Sequence, residues 1–334
     1  MAEQDLVLVT GGAGYIGSHV VHALRAAGQG CVVIDNLSTG HAGLLPGEVP
    51  LVKGDIGDGD LIEAVCRQYG ISAAMHFAGS IVVGESVTEP LAYYHNNTCN
   101  SRTLIEALLR AGVNRLVFSS TAAVYGAPET VPITESAPLV PVNPYGASKL
   151  MTEWMLRDAA FAHGLVPVVL RYFNVAGADP DLRSGQVSRQ ATHLIKIACQ
   201  LAVGLRSEMW INGTDYDTPD GTCIRDYIHV SDLATAHVAA VRHLLAGGDA
   251  LTANCGYGRG FSVREVVAMV EKVAGQSLNV HEGPRRAGDP PELVAAADRL
   301  RAALDWQPHH ESLEEIVSTA LAWERKLLRD GGAA

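Results

Sequence analysis

The feature that most constrains this chain is the stretch Val9–Val20, VTGGAGYIGSHV, which reads as a strand turning tightly into a helix. Leu6, Val7, Leu8 and Val9 form an unbroken apolar run, the pattern of a strand buried on both faces of a parallel sheet. Gly11, Gly14 and Gly17 then recur at every third position. Glycines so placed serve a tight turn, close approach of backbone to a phosphate, and close packing of helix on strand. The helix expected from about Tyr15 to Ala27 aims its unpaired N–H groups at that turn, where they would stabilise a pyrophosphate.

In a chain with 34 glycines such spacings arise by chance, so the context decides. A second apolar run, Cys31 to Ile34, follows the helix and ends in Asp35, eighteen residues after Gly17. A carboxylate there accepts hydrogen bonds from an adenosine ribose and repels a 2′-phosphate, which favours NAD over NADP. Strand and helix patterns keep alternating: a short strand at Leu51–Val52 with Asp55 in the loop after it as a candidate adenine contact, and a strand at Ser72–Phe77 ending in Ala78–Gly79, small enough for close approach to a cofactor. The expected fold is therefore α/β, a Rossmann-type doubly wound parallel sheet. Pro90 opens a helix through about Ala111, on which Asn96 and Asn97 either brace the neighbouring loop or touch the cofactor.

Arg115–Phe118 reads as a fifth strand running into Ser119-Ser120-Thr121, hydroxyls at the carboxyl end of a strand where ligands of such sheets sit. Four prolines make 127–143 a loop. Pro144 then introduces Tyr145-Gly146-Ala147-Ser148-Lys149 and a helix to about Ala162. Tyr145 and Lys149, four apart, share a helix face. A cation held there stabilises tyrosinate, about 1.4 kcal/mol per pKa unit removed from a usual value near 10, which makes Tyr145 a candidate general base. After a strand at Val166–Tyr172 the alternation loosens into a loop over Asp179–Gln190, a helix at Ala191–Leu201 and a strand at Met209–Ile211. The chain is expected to return to the sheet at Tyr227–Val230, followed by a helix over Asp232–Leu245. Arg225 and Arg286, both read as loop residues, either converge on a diphosphate or pair with Asp226 and Asp289.

A formal net charge of -11 argues against nucleic acid and anionic membranes as partners. No apolar run approaches the ~18–20 residues of a membrane span, and the first strand begins too early for a signal peptide; a cytoplasmic location is expected. The six cysteines are scattered, as reduced thiols are, and the thirteen histidines form no ligand cluster, so no metal is expected.

Thr10 to Gly17 with Tyr145-x-x-x-Lys149 resembles the extended short-chain dehydrogenase/reductase superfamily. Ile34-Asp35-Asn36-Leu37, His76-Phe77-Ala78-Gly79, Gly84-Glu85-Ser86-Val87, Ser119-Ser120-Thr121 with Val124-Tyr125-Gly126, Arg171-Tyr172-Phe173-Asn174, the run Ile224 to Val230 and Pro284 to Asp289 are similar, within it, to the UDP-glucose (UDP-galactose) 4-epimerase family. The resemblance runs from about Leu6 to Trp306. It implies NAD held by Gly11, Gly14, Tyr15, Ile16, Gly17, Asp35, Asn36, Asp55, Ile56, Phe77, Ala78, Gly79, Asn96, Tyr145, Lys149, Tyr172 and Phe173. It implies catalysis by Tyr145, Lys149 and Thr121. Thr121, Asn174, His193, Leu194, Ile211, Arg225, Arg286, Asp289 and Leu293 would line the UDP-sugar site. Residues 1–175, rejoined by about 223–246, would bind the cofactor, and 176–222 with 247–334 would form a smaller α/β substrate-binding domain. A homodimer is implied through the helices at 91–111 and 145–162, whose apolar faces could equally be core.

The departures from the family pattern are Thr121 for serine, Ile81 for a lysine beside the cofactor, His193 for asparagine, and Leu293 where a tyrosine or a smaller residue limits the sugar's C2 substituent. Related dehydratases carry an Asp-Glu pair where this chain has Ala122 and Ala123, which counts against dehydration. The expected reaction is C4 epimerisation of a UDP-hexose through a 4-keto form. Another UDP-sugar (N-acetylhexosamine, pentose or uronic acid) and a dinucleotide sensor without chemistry are the alternatives.

Overall fold

The computed structural model describes residues 5–188, 192–286 and 289–331. In chain order the elements are β1 Leu6–Thr10, α1 Tyr15–Ala26, β2 Cys31–Asp35, β3 Leu51–Lys53, α2 Gly59–Tyr69, β4 Ile71–His76, α3 Val83–Thr88, α4 Pro90–Tyr93, α5 Asn100–Arg110, β5 Arg115–Thr121, α6 Pro144–His163, β6 Val166–Tyr172 and β7 Asn174–Ala176. Then follow α7 Leu194–Ala202, β8 Met209–Asn212, β9 Ile224–His229, α8 Val230–Leu245, β10 Leu251–Cys255, β11 Gly260–Ser262, α9 Val263–Ala274, β12 Val280–Gly283, β13 Glu292–Leu293, α10 Asp298–Leu304 and α11 Leu313–Arg329.

Seven strands form a parallel sheet in the order β10-β6-β5-β4-β1-β2-β3. The chain runs outward from β1 in both directions, so the helices that follow β1 and β4 lie on opposite faces of the sheet, the arrangement that leaves at the carboxyl edge the crevice in which such sheets bind ligands. Val7, Val9, Val33 and Val117 point to one face, against α1 and α8; Leu8, Ile34, Leu116 and Phe118 point to the other, beneath α2, α5 and α6. Both faces are covered, which is why these strands read as unbroken apolar runs rather than alternating ones. Each such side chain contributes about 1.5–3 kcal/mol when fully buried.

One expectation is corrected. The segment at Tyr227–Val230 does not rejoin the large sheet: β9 lies in a separate small sheet with β7, β11 and β13. The Asp226 carboxylate holds β9 there by accepting the backbone N–H groups of Tyr257, Gly258 and Ala295. The strand that completes the large sheet is β10, beside β6, within a stretch the sequence reading assigned to the substrate side. Only α8 returns, packing against α1. The helix expected over Ala191–Leu201 is described from Leu194, residue 191 lying outside the described residues.

The helix expected from Pro90 to Ala111 is interrupted by a π-helical turn, Tyr94–Cys99. Its sequence, YHNNTC, is rich in poor helix formers. The widened turn delivers Asn97 to a structural role described below. α6, by contrast, starts where the sequence says it should: the Asn143 side chain accepts the Gly146 N–H, Pro144 occupies the first turn, and Gly164 closes the other end in the left-handed conformation.

Candidate functional site

The glycine turn is a cradle built by backbone. Gly11 has φ 70°, and a Cβ there would lie 2.6 Å from the backbone nitrogen of Ala78; one at Gly17 would lie 2.2 Å from the carbonyl of Gly11. The loops after β1 and β4 thus meet at a point only glycine permits. α1 starts after Gly14 with no side-chain cap and no acidic residue in its first turn, so its amide donors stay available for an anion. Tyr15 and Ile16 belong to this turn through their backbone: the Tyr15 hydroxyl donates to the Gly177 carbonyl at 2.7 Å, and Ile16 packs on the core.

Asp35 is buried, accepting the Ala13 N–H at 2.9 Å on one oxygen and the Leu37 N–H at 2.8 Å on the other. It braces the glycine turn, and each carboxylate oxygen retains a lone pair for a ribose hydroxyl. Asn36 donates to Asp55 at 2.9 Å, and Asp55 also accepts from the Gly57 backbone and from Asn100. Ile56 buries its side chain in the core, leaving its backbone at this end of the crevice. Free helix donors, a backbone cradle and an accepting carboxylate at the end of β2 are the groups a dinucleotide requires, and the residues present fit NAD.

At the other wall, Phe77 donates its N–H to the Thr10 carbonyl at 3.0 Å and rests its ring 4.8 Å from that of His237. A Cβ on Gly79 would lie 3.0 Å from Asn97 Oδ1 and 3.5 Å from Lys149 Nζ. Asn97 resolves the choice between bracing and contact: Oδ1 accepts the Ser80 N–H at 2.7 Å, while Nδ2 donates to the Ser80 carbonyl at 2.9 Å and to Ser148 Oγ at 3.0 Å. It staples the loop after β4 to α6. Asn96 donates to Ser80 Oγ at 2.9 Å. Below them the Ser101 hydroxyl donates to the Asn97 carbonyl, so it must accept from His76 Nε2–H; His76 Nδ1 then accepts from Thr10. Burial pushes His76 down to about 3, and it stays neutral.

Tyr145, Lys149 and Thr121 are all buried at the carboxyl end of β5. α6 sits tight on the strand end, since a Cβ on Gly146 would lie 2.5 Å from the Ala123 carbonyl. The Ala123 N–H donates to Thr121 Oγ1 at 3.1 Å, which leaves the threonine hydroxyl proton for Tyr145. Burial raises the Tyr145 pKa, and the hydrogen bond with Thr121 lowers it in part. This differs from the sequence reading, in which Lys149 alone depressed it. Lys149 Nζ donates to the Ser119 carbonyl at 3.1 Å and lies 5.1 Å from the Phe118 ring centroid; burial brings its pKa down to about 8. It remains mostly protonated at neutral pH, a buried cation whose partners here are neutral, and such a cation favours a nearby anion. Tyr172 shares a hydrogen bond with Ser119, and Phe173 packs with Ala122, Tyr125 and Leu150.

The expected substrate residues fall into two connected groups. Arg225, placed on strand β9 rather than in a loop, donates to Asp289 at 2.7 Å; Leu293 on β13 lies opposite it in the parallel register. Arg286 pairs with Asn212 at the end of β8, its Nε and Nη2 lying 3.2 and 3.0 Å from the amide oxygen with the amide oriented to accept. The two groups meet where the Asp289 N–H donates to the Arg286 carbonyl at 3.3 Å. Ile211 is buried beside Asn212; His193 precedes α7, its pKa lowered by burial; Leu194 packs on the second core; Asn174 is exposed on β7. Sequence reasoning missed Asn212, and it missed the buried cluster of Glu153, Arg171, Tyr125 and Asn254 behind α6. The signals for the latter were Tyr125 and Arg171, which lie in stretches that carry the family resemblance, and Glu153, four residues past Lys149 on the same helix face.

Residues 7–256 match the model of the NAD dependent epimerase/dehydratase family. A UDP-glucose 4-epimerase of Azospirillum brasilense is 64% identical over 333 residues, covering 100% of this chain and 96% of that protein. The crystal structure of UDP-glucose 4-epimerase from Brucella ovis in complex with NAD superposes with a TM-score of 0.93 at 45% identity, covering 95% and 98% of the two chains. That from Bifidobacterium longum, in complex with NAD+ and UDP, gives 0.91 at 37% identity, covering 96% and 98%.

Proposed function

This chain belongs to the NAD dependent epimerase/dehydratase family, and from that membership we propose that it interconverts UDP-glucose and UDP-galactose at C4. The observation that carries the chemistry is the hydrogen bond between Tyr145 and Thr121, with Lys149 buried one helical turn away and close to Gly79. Tyr145 takes the proton of the C4 hydroxyl as general base and returns it at the end of the cycle. Thr121, its oxygen occupied by the Ala123 N–H, orients that hydroxyl and stabilises the phenolate. Lys149 supplies the positive charge that makes a buried phenolate accessible. NAD, held by the glycine turn and Asp35, supplies the reversible hydride acceptor that takes the hexose through a transient 4-keto form. Ala122 and Ala123 offer no carboxyl group for elimination, so the reaction stops at C4.

The UDP end falls to Asn174, His193, Leu194, Ile211, Arg225, Arg286 and Asp289, with Leu293 bounding the sugar's C2 substituent. Arg225 and Arg286 meet the diphosphate by exchanging part of their pairing with Asp289 and Asn212 for phosphate oxygens. The cofactor side then comprises 1–175 with the α8 region, and the substrate side the segments around β8, β9 and 284–293. Among the described residues no helix is long and apolar enough to cross a membrane; a cytoplasmic location accords with six free cysteines.

A homodimer is supported by exposed apolar side chains on α3, α4 and α6, among them Val87 63%, Leu91 80%, Trp154 46% and Phe161 96% exposed. Trp154→Lys is expected to sediment as a monomer while the parent sediments as a dimer. The reaction itself is tested by NMR of the purified protein, without added NAD, given UDP-glucose, UDP-galactose, their N-acetylated forms, UDP-xylose and UDP-glucuronate. Interconversion of the first two is expected. Accumulation of free NADH, or no turnover of any sugar, would overturn the proposal.

A further inference from the structure

Behind Tyr145 and Lys149 lies a buried polar cluster that the chemistry above does not use. Glu153 follows Lys149 by one helical turn and Tyr145 by two, so the three share a face of α6. Its carboxylate is 8% exposed and pairs with Arg171, whose side chain is 6% exposed: Nη2 to Oε2 is 2.6 Å, and Nε lies 3.0 and 3.2 Å from the two oxygens. The Ser120 hydroxyl donates to the same carboxylate at 2.5 Å. Arg171 donates onward to the Tyr125 hydroxyl at 3.0 Å, which donates to Asn254 Oδ1 at 2.7 Å, and Asn254 Nδ2 donates to the Ile133 carbonyl at 2.8 Å.

Every strand partner of this cluster adjoins the reactive groups. Ser120 immediately precedes Thr121 on β5; Arg171 immediately precedes Tyr172 on β6; and the two strands pair Ser120 with Arg171 and Thr121 with Tyr172. Asn254 extends the same row onto β10, opposite Arg171. A buried ion pair is a poor source of stability, because an apolar pair of similar volume commonly does as well or better. It is, however, directional. A guanidinium gripping both oxygens of one carboxylate fixes how far α6 is rotated and advanced over the strand ends, and through the helix it fixes where the Tyr145 hydroxyl stands relative to Thr121.

We infer that Glu153 and Arg171 are positioning residues whose ion pair sets the register of the Tyr145–Lys149 helix against the Thr121 strand end. This rests on the epimerase reading for its kinetic consequence but not for its geometric one. The groups facing Tyr145 are Thr121 on β5, Tyr93 on α4, Tyr172 on β6 and Lys149 on its own helix. Of these Thr121 favours the phenolate by its hydrogen bond, and its placement against Tyr145 depends on that register, whereas Lys149 rides on the same helix as Tyr145.

The test uses the NAD-containing protein and three variants: Glu153→Gln, Arg171→Lys, and the double variant Glu153→Met with Arg171→Met, which keeps the core filled if a single change fails to fold. Two quantities are read for each. One is the ionisation of Tyr145, by ultraviolet titration against the matching Tyr145→Phe protein. The other is kcat and KM for UDP-galactose across pH. The expected result is a Tyr145 pKa about one unit above the parent's, kcat lowered 10- to 100-fold at neutral pH and partly recovered at high pH, and KM within about threefold. Variants that lose only melting temperature, with the Tyr145 titration and the pH profile of kcat unchanged, would overturn the inference. A parent protein that leaves UDP-galactose unchanged would overturn the epimerase reading, and the titration would still decide the register.

Discussion

Tyr145 is pulled in two directions. Burial favours the neutral phenol, while the hydrogen bond with the Thr121 hydroxyl favours the phenolate. The base must be ionised to act, so turnover is expected to rise with pH through the Tyr145 pKa. Removing a group that stabilises the phenolate raises that pKa and moves the acid limb of kcat to higher pH. Thr121→Val and Lys149→Met should both show this shift, with kcat at neutral pH lowered by about 10²–10⁴. Thr121→Ser should leave the profile near that of the parent, because a serine hydroxyl can accept the Ala123 N–H and donate to Tyr145 in the same way. Steady-state kinetics from pH 6 to 10 check this. An unmoved limb in Thr121→Val would remove the threonine from the account.

α7 and α11 are joined by a different buried pair, in which Lys196 bonds Glu324 and also donates to the Gln186 carbonyl at 2.6 Å. Lys196→Met strands a carboxylate that already has one unpartnered oxygen, and is expected to cost about 3–5 kcal/mol in urea unfolding. Adding Glu324→Leu should restore most of that loss. Neither residue stood out in the sequence, because a lone lysine on an apolar helix face looks like any other. The elements of the large sheet were legible for the opposite reason: β1, β2, β5 and β6 are apolar runs bounded by turn residues, and α6 carries its own start and stop signals. β10 was not legible, since Leu-Thr-Ala-Asn-Cys, as long as β1 and β2, lacks their apolar run and joins the sheet at its edge beside β6. The π-helical turn was hidden as well, as the periodicity on either side is helical and the extra residue registers only in where Asn97 points. At the site, Tyr145, Lys149 and Thr121 were readable from spacing and strand-end position, whereas Asn212 and Arg171 act through partners distant in sequence.

At the scale of the whole molecule, several buried histidines are held neutral. Burial lowers His76 and His229 to about 3, and His19 and His237 to about 4. Each binds fewer protons folded than unfolded, so its contribution to stability is complete above its unfolded value near 6.5 and is lost as pH falls below it. At pH 5 each subtracts about 2 kcal/mol. Asp226, raised by burial to about 6, has the opposite sign, its contribution being lost as pH rises from about 4 to 6. It returns only about 1 kcal/mol at pH 5 against four histidines. The melting temperature is therefore expected to fall steeply between pH 7 and 5, in a scan run without substrate. A flat profile would contradict the neutral, buried assignment of these rings.

The whole arrangement serves one event: a hydrogen leaves C4 of the sugar as hydride, while Tyr145 holds the accompanying proton, and the hydride returns to the same carbon on its other face. UDP-galactose carrying deuterium at C4, incubated with the protein in ordinary water and followed by NMR, tests this directly. Deuterium kept at C4 of the UDP-glucose formed is the predicted result. Loss of the label to solvent would mean that C4 is deprotonated rather than oxidised, and would contradict the account.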